Sequence, residues 1–112
     1  MNSTLDKIPG GLTKNDLEII TSIFEQEKSI HEAILFGSRA KGNFENASDV
    51  DIALKGPLLN FRIISHTSYL LNEETNLPYK FDILNYETTN KDLIDHINRV
   101  GVIIYKRTFS TA

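Results

Sequence analysis

The chain has 112 residues, a formal net charge of −3, a pI near 5.5 and no cysteine. That length suits one small domain with a modest core. It leaves no disulfide or thiolate metal site, and an acidic balance without a basic stripe argues against extensive nucleic-acid binding through bulk charge. No apolar run approaches bilayer length and no signal peptide is visible, so a cytoplasmic protein with no membrane association is expected.

In chain order, residues 1–12 contain Pro9-Gly10-Gly11 and read as a loose leader to a single domain spanning 1–112. Thr13 suits a helix N-cap, with Asp16 at the capping-box position and Leu12 and Leu17 as a hydrophobic staple. Leu17, Ile20, Ile23 and Phe24 recur at helical spacing. A short buried strand follows at 33–36 and ends at Gly37. A second strand spans 49–54, with Val50, Ile52 and Leu54 alternating against Asp49 and Asp51. Gly56-Pro57 breaks the chain before a helix over 58–72, whose apolar side holds Phe61, Ile64, Leu70 and Leu71. Asn76-Leu77-Pro78 is a turn into a third strand at 79–84. Thr89 caps a last helix carrying Leu93, Ile94, Ile97 and Val100, which Gly101 ends. Residues 102–105 form a final short strand or an extended tail. The order predicts an α/β (α+β) domain with a short mixed sheet, helices packed on one face and an acidic site on the other.

The chemistry concentrates between residues 35 and 54. Alternate side chains of a strand share a face, so Asp49 and Asp51 point the same way, with Cα atoms about 7 Å apart. Two such carboxylates repel unless a cation lies between them, and oxygen donors suit a hard divalent ion such as Mg²⁺. Asp is depleted in strands, so two in one short strand call for a reason, although alone they are a weak signal. Gly37 lets the backbone approach a ligand closely, and Ser38 offers a hydroxyl and an N–H. If Arg39 to Lys41 begin a helical turn, its free N–H groups make an anion site, with Arg39 and Lys41 adding positive charge. A lone Gly-Ser-Arg is most often an ordinary turn. The following Asp pair reverses that balance. Asp82, between Phe81 and Ile83 in the third strand, is the best third carboxylate. It would complete a two-metal site or serve as general base.

Gly37-Ser38, ten residues, then Asp49-x-Asp51 resembles the signature of the nucleotidyltransferase superfamily that includes DNA polymerase beta and kanamycin nucleotidyltransferase. The short length, and the stretch from Leu77 to Thr89 around Asp82, resemble the minimal nucleotidyltransferase (MNT) proteins of bacteria and archaea. The likeness runs from about Thr13 to Tyr105. It implies metal binding by Asp49, Asp51 and Asp82, phosphate binding by Gly37 and Ser38, two Mg²⁺ ions, ATP as nucleotide substrate, and transfer of AMP to a hydroxyl. It also implies a small helical HEPN-type partner in a hetero-oligomer, with this chain as the antitoxin that places AMP on the partner. Larger members carry an acceptor domain for which this chain has no room. Two alternatives stay open: a catalytically weak nucleotide-binding subunit that regulates a partner complex, and a transferase acting on a small molecule or an RNA end.

The remaining polar residues have plainer readings. His31 is a loop residue. His66 and His96 lie in helices, far from the motif in sequence and without a ligand partner at helical spacing, and are placed outside the chemistry. Lys80 shares a face with Asp82, where it touches a phosphate or pairs with that carboxylate. Tyr69, Tyr79, Tyr86 and Tyr105 read as core or interface residues.

Overall fold

A computed structural model describes residues 9–109. The first helix, α1, runs Lys14–Gln26 and starts as its sequence directs. The Asp16 N–H donates to Thr13 Oγ1 at 2.9 Å and the Thr13 N–H to Asp16 Oδ2 at 3.0 Å, so two end amides that lack helical partners are satisfied reciprocally. Then follow β1 (Glu32–Phe36), α2 (Gly37–Lys41), β2 (Val50–Lys55), α3 (Phe61–Glu73), β3 (Phe81–Asn85), α4 (Lys91–Val100) and β4 (Val102–Lys106).

The four strands form one mixed sheet in the order β3-β2-β1-β4. β1 lies antiparallel to β2 and β4, while β2 and β3 are parallel and joined through α3. A parallel pair needs such a crossover. The last strand is therefore a true edge strand, which settles the choice left open for residues 102–105. The last helix is capped one residue later than expected: the Asn90 side chain accepts from the Leu93 N–H at 2.9 Å.

Alternation in the strands sorts the core into two layers. Ala33, Leu35, Val50, Ile52, Leu54 and Phe81 meet Ile20 and Phe24 of α1 and Leu71 of α3. Ile34, Phe36 and Ala53 point the other way and meet Ile97 of α4, with Leu84 and Leu93 packed beside them. The fold class is as expected, but the placement of helices is corrected: α4 covers the second face. Its apolar positions are spaced for one side of a helix, and the strands carry apolar residues on both faces near their centres, so both faces need cover. The acidic residues consequently lie at the end of a covered face rather than on an open one. No helix among the described residues is long and apolar enough to cross a membrane.

The leader expectation is also corrected for the part the structure describes. Pro9–Gly11 is a 3-10 turn, and Leu12 is 1% exposed within the α1 layer. The apolar side chain and the Gly10 carbonyl tie this segment down. Residues 1–8 lie outside the described residues.

Candidate active site

Gly37 opens α2 directly from the end of β1, with φ +73, and Gly42 ends it with φ +92. Both angles favour glycine because a Cβ would crowd the backbone. At Gly37 there is a second reason: an added Cβ would sit 2.2 Å from Asp51 Oδ2. The turn therefore packs its backbone onto the carboxylate, and the absence of a side chain is what permits it. Gly37→Ala is expected to lower the melting temperature. The left-handed angle alone costs about 1–2 kcal/mol, and the clash with Asp51 adds to it. Thermal melting checks the effect.

Asp51 lies in β2 on the α4 face, between Phe36 of β1 and Asp82 of β3 in the strand registers. Asp49 stands two residues earlier, just before the strand begins. Parallel neighbours in register put their side chains on the same face about 4.8 Å apart, so Asp82 stands beside Asp51, as the third-strand reading expected. Among the described residues no three acidic or histidine side chains stand close enough together to ligate one ion, so the three carboxylates are neighbours without forming a closed cage. None of them is in an ion pair with a basic side chain; the pair among the described residues is Lys91–Asp95 on the outside of α4. The expected alternative pairing of Lys80 with Asp82 is absent there too, and Lys80 borders a groove with Ser65, Ser68 and Asn72 of α3.

Burial, then the charges of Asp82 and Asp49, push the Asp51 carboxyl up from an ordinary 3.8 to about 6. Uncompensated negative charge is thus concentrated on oxygen donors, a set whose chemistry fits a hard divalent cation. The same shift has a consequence for stability. Asp51 binds its proton more tightly in the folded chain than in the unfolded one, so between pH 3.8 and about 6 its contribution becomes less favourable as pH rises. Without metal, Asp51→Asn is expected to raise the melting temperature at neutral pH. The gain should shrink as pH falls through about 6 and vanish below about 4. Melting curves across that range, recorded with a chelator, test the sign.

Arg39 does not stand where the sequence suggested. It is 3% exposed. Its Nε donates to Ser48 O at 3.1 Å, Nη1 to Gly10 O at 2.6 Å and Nη2 to Asn46 O at 3.1 Å. The guanidinium is flanked by the Phe44 and Tyr79 rings, each centroid 4.9 Å from its central carbon. Tyr79 Oη in turn donates to Asp16 Oδ2 at 2.5 Å. Burial alone would raise the Asp16 carboxyl, but its bonds from Thr13 and Tyr79 and the Arg39 charge hold it below the usual range. Arg39 is therefore a strut between the 3-10 turn, α2 and the loop that leads into β2. A planar fork with five donors suits several carbonyls at once, and with its donors so engaged it is removed from any phosphate. Lys41 is exposed at the last residue of α2.

Ser38 is partly exposed, and its hydroxyl has no hydrogen bond among the described residues. No side chain caps α2 at Phe36. One contact was not foreseen. His96 of α4, read as remote from the motif, reaches the turn, and its Nε2 accepts from the Gly37 N–H at 3.3 Å. Its ring also meets Phe36 edge-on, with centroids 6.1 Å apart. The sequence carried one hint: His96 adjoins Ile97 on the apolar side of a helix, which brings it against the sheet. Nothing in the spacing indicated which end of the sheet.

This layout belongs to one class of protein, the nucleotidyltransferases of the polymerase beta type. A family model described as "Polymerase beta, Nucleotidyltransferase" matches residues 18–110, and the chain belongs to that family. It is 29% identical over 97 residues to a probable protein adenylyltransferase, MntA, of Haemophilus influenzae, covering 86% of this chain and 84% of the relative. It superposes on a toxin–antitoxin crystal structure with AMP-PNP at a TM-score of 0.70 and 18% identity, covering 82% of this chain and 74% of that one. It is also similar to a structure of a tri-AMPylated Shewanella oneidensis HEPN toxin in complex with MNT antitoxin, at a TM-score of 0.63 and 16% identity, covering 81% and 70% of the two chains. At those identities the two structures establish a shared fold.

Proposed function

We propose that this chain transfers AMP from ATP to a hydroxyl of a small helical HEPN-type partner in the cytoplasm, as the antitoxin of a toxin–antitoxin pair. The observation that carries the reading is the register pairing of Asp51 with Asp82 beside the Gly37-Ser38 turn. The named adenylyltransferase relative supports the transferred group. The complex of HEPN toxin and MNT antitoxin supports the partner.

Asp49, Asp51 and Asp82 would hold Mg²⁺, two ions when nucleotide is present. When bound, the metal neutralises polyphosphate charge and lowers the pKa of the acceptor hydroxyl. Ser38 donates through its hydroxyl and N–H to the distal phosphates, with Lys41 as the nearby exposed cation. Asp82, an exposed carboxylate on the edge strand, takes the acceptor's proton. The hydroxyl oxygen then bonds to the α-phosphorus, the bond to the β-phosphate oxygen breaks, and pyrophosphate carries away the electron pair. Positioning and charge neutralisation supply the rate.

A second reading, a nucleotide-binding subunit that transfers little, draws on the open spacing of the three carboxylates. One experiment separates the two. The chain is incubated with its HEPN partner, ATP and Mg²⁺, and the partner's mass is measured. Addition of AMP to a partner tyrosine is the expected result. Tight MgATP binding without any added mass would favour the second reading, and labelled ATP with small-molecule or RNA acceptors would expose those alternatives.

A further inference from the structure

The Gly37-Ser38 turn has an unusual problem. Its first residue is a glycine held at φ +73, a conformation that glycine adopts freely and leaves freely. Yet this residue must keep its Cα against Asp51 Oδ2 and present Ser38 in one orientation. Neither β1 nor α2 supplies a side-chain cap there, since Phe36 at the N-cap makes no such bond. The Gly37 N–H is instead gripped from another element, by His96 Nε2 at 3.3 Å. Accepting there requires an unprotonated Nε2. The imidazole is itself placed on two sides. Its ring lies edge-on to Phe36, and the adjoining Ile97 is 1% exposed among Ile34, Phe36 and Ala53. The histidine thus links a helix anchored in the core to the glycine that lies against Asp51 and directly precedes Ser38.

We infer that His96 is a positioning residue for nucleotide uptake, acting through the Gly37 amide to hold the Gly37-Ser38 turn in the conformation that receives the triphosphate. It is no metal ligand and forms no bond to the reacting atoms. Its effect is preorganisation: a turn already fixed loses less freedom when a ligand arrives. The inference rests on the nucleotidyl-transfer reading, because it assumes that the turn meets the phosphates.

The test is calorimetric titration of the full chain with MgATP, alongside thermal melting, for wild type, H96A, H96N and H96Q. The glutamine carbonyl reaches about as far as Nε2 and can accept the same N–H, whereas asparagine stops one methylene short. One hydrogen bond of this kind corresponds to a factor of about three to ten. H96A and H96N are expected to weaken MgATP binding by that factor, and H96Q to stay within about twofold of wild type. Melting temperatures should change little, because Ile97 keeps α4 on the sheet. If H96A melts far below wild type, the comparison of H96N with H96Q decides, since the two differ by a single methylene. Wild-type affinity in H96N, or an H96Q as weak as H96N, overturns the inference. An absence of MgATP uptake by the wild type itself would remove the underlying transferase reading, and the two failures are thereby distinguishable.

Discussion

Asp51→Asn is expected to lower Mg²⁺-dependent AMP transfer by on the order of 10²–10³-fold or more, the size seen when one preorganised charge-stabilising group is removed, while leaving the fold intact. Asparagine keeps the shape that fits under Gly37 but removes the negative charge. The fold has no need of that charge. Burial and the neighbouring Asp82 and Asp49 already push the Asp51 carboxyl up to about 6, so the metal-free protein carries it at a cost. A residue that burdens the fold and stands at the centre of an acidic cluster has the pattern of a functional group. The measurement pairs partner mass before and after incubation with circular dichroism of the variant. A folded Asp51→Asn protein with full activity would sink the proposed function. Asp82→Asn should also be damaging, because in the proposed function Asp82 both helps hold Mg²⁺ and accepts the proton, and solvent can replace only the base in part.

Arg39→Ala is expected to give the largest loss of stability, about 3 kcal/mol, from roughly 1 kcal/mol for each of the three carbonyls left without a donor. Domains of this size hold only about 5–15 kcal/mol in total, and the melting temperature should fall by more than about 10 °C. Arg39→Lys should not rescue it. A lysine presents one compact ammonium and cannot reach Ser48, Asn46 and Gly10 at once, nor lie flat between Phe44 and Tyr79. Titration of MgATP at a temperature where the lysine variant remains folded separates stability from binding. Affinity near wild type is expected, whereas a residue that held phosphate directly would show its loss there. Thermal melting of Arg39→Lys at the wild-type temperature would count against the structural role.

The two residues show how far a local pattern reaches. Both belong to the segment Gly37 to Asp51, and in the sequence both read as parts of the site, Asp51 as a metal ligand and Arg39 as a charge beside the turn. For Asp51 the claim needed only strand alternation, a property of the backbone over two residues. For Arg39 it needed the direction of a side chain leaving a five-residue helix, and that direction depends on Gly10, Asn46 and Ser48, which the chain brings up from both sides. A cation beside a turn and a cation bracing that turn from behind look alike in one dimension.

By itself the sequence determined α1, the first three strands, α3 and α4, the capping box at Thr13 and Asp16, and the family resemblance carried by Gly37-Ser38 and the Asp pair. All of these are local, set by periodicity, caps and spacing within a few residues. Only the tertiary structure decided the register that seats Asp82 beside Asp51, which face α4 covers, what Arg39 holds and that His96 meets Gly37. Those depend on contacts between residues distant in the chain, where register and helix docking choose among partners of equal local merit. The His96–Gly37 bond joins residues 59 positions apart. The closure of such a gap is fixed by the burial of Ile97 and Phe36 in the core layer between α4 and the sheet, and that burial is a property of the packed whole.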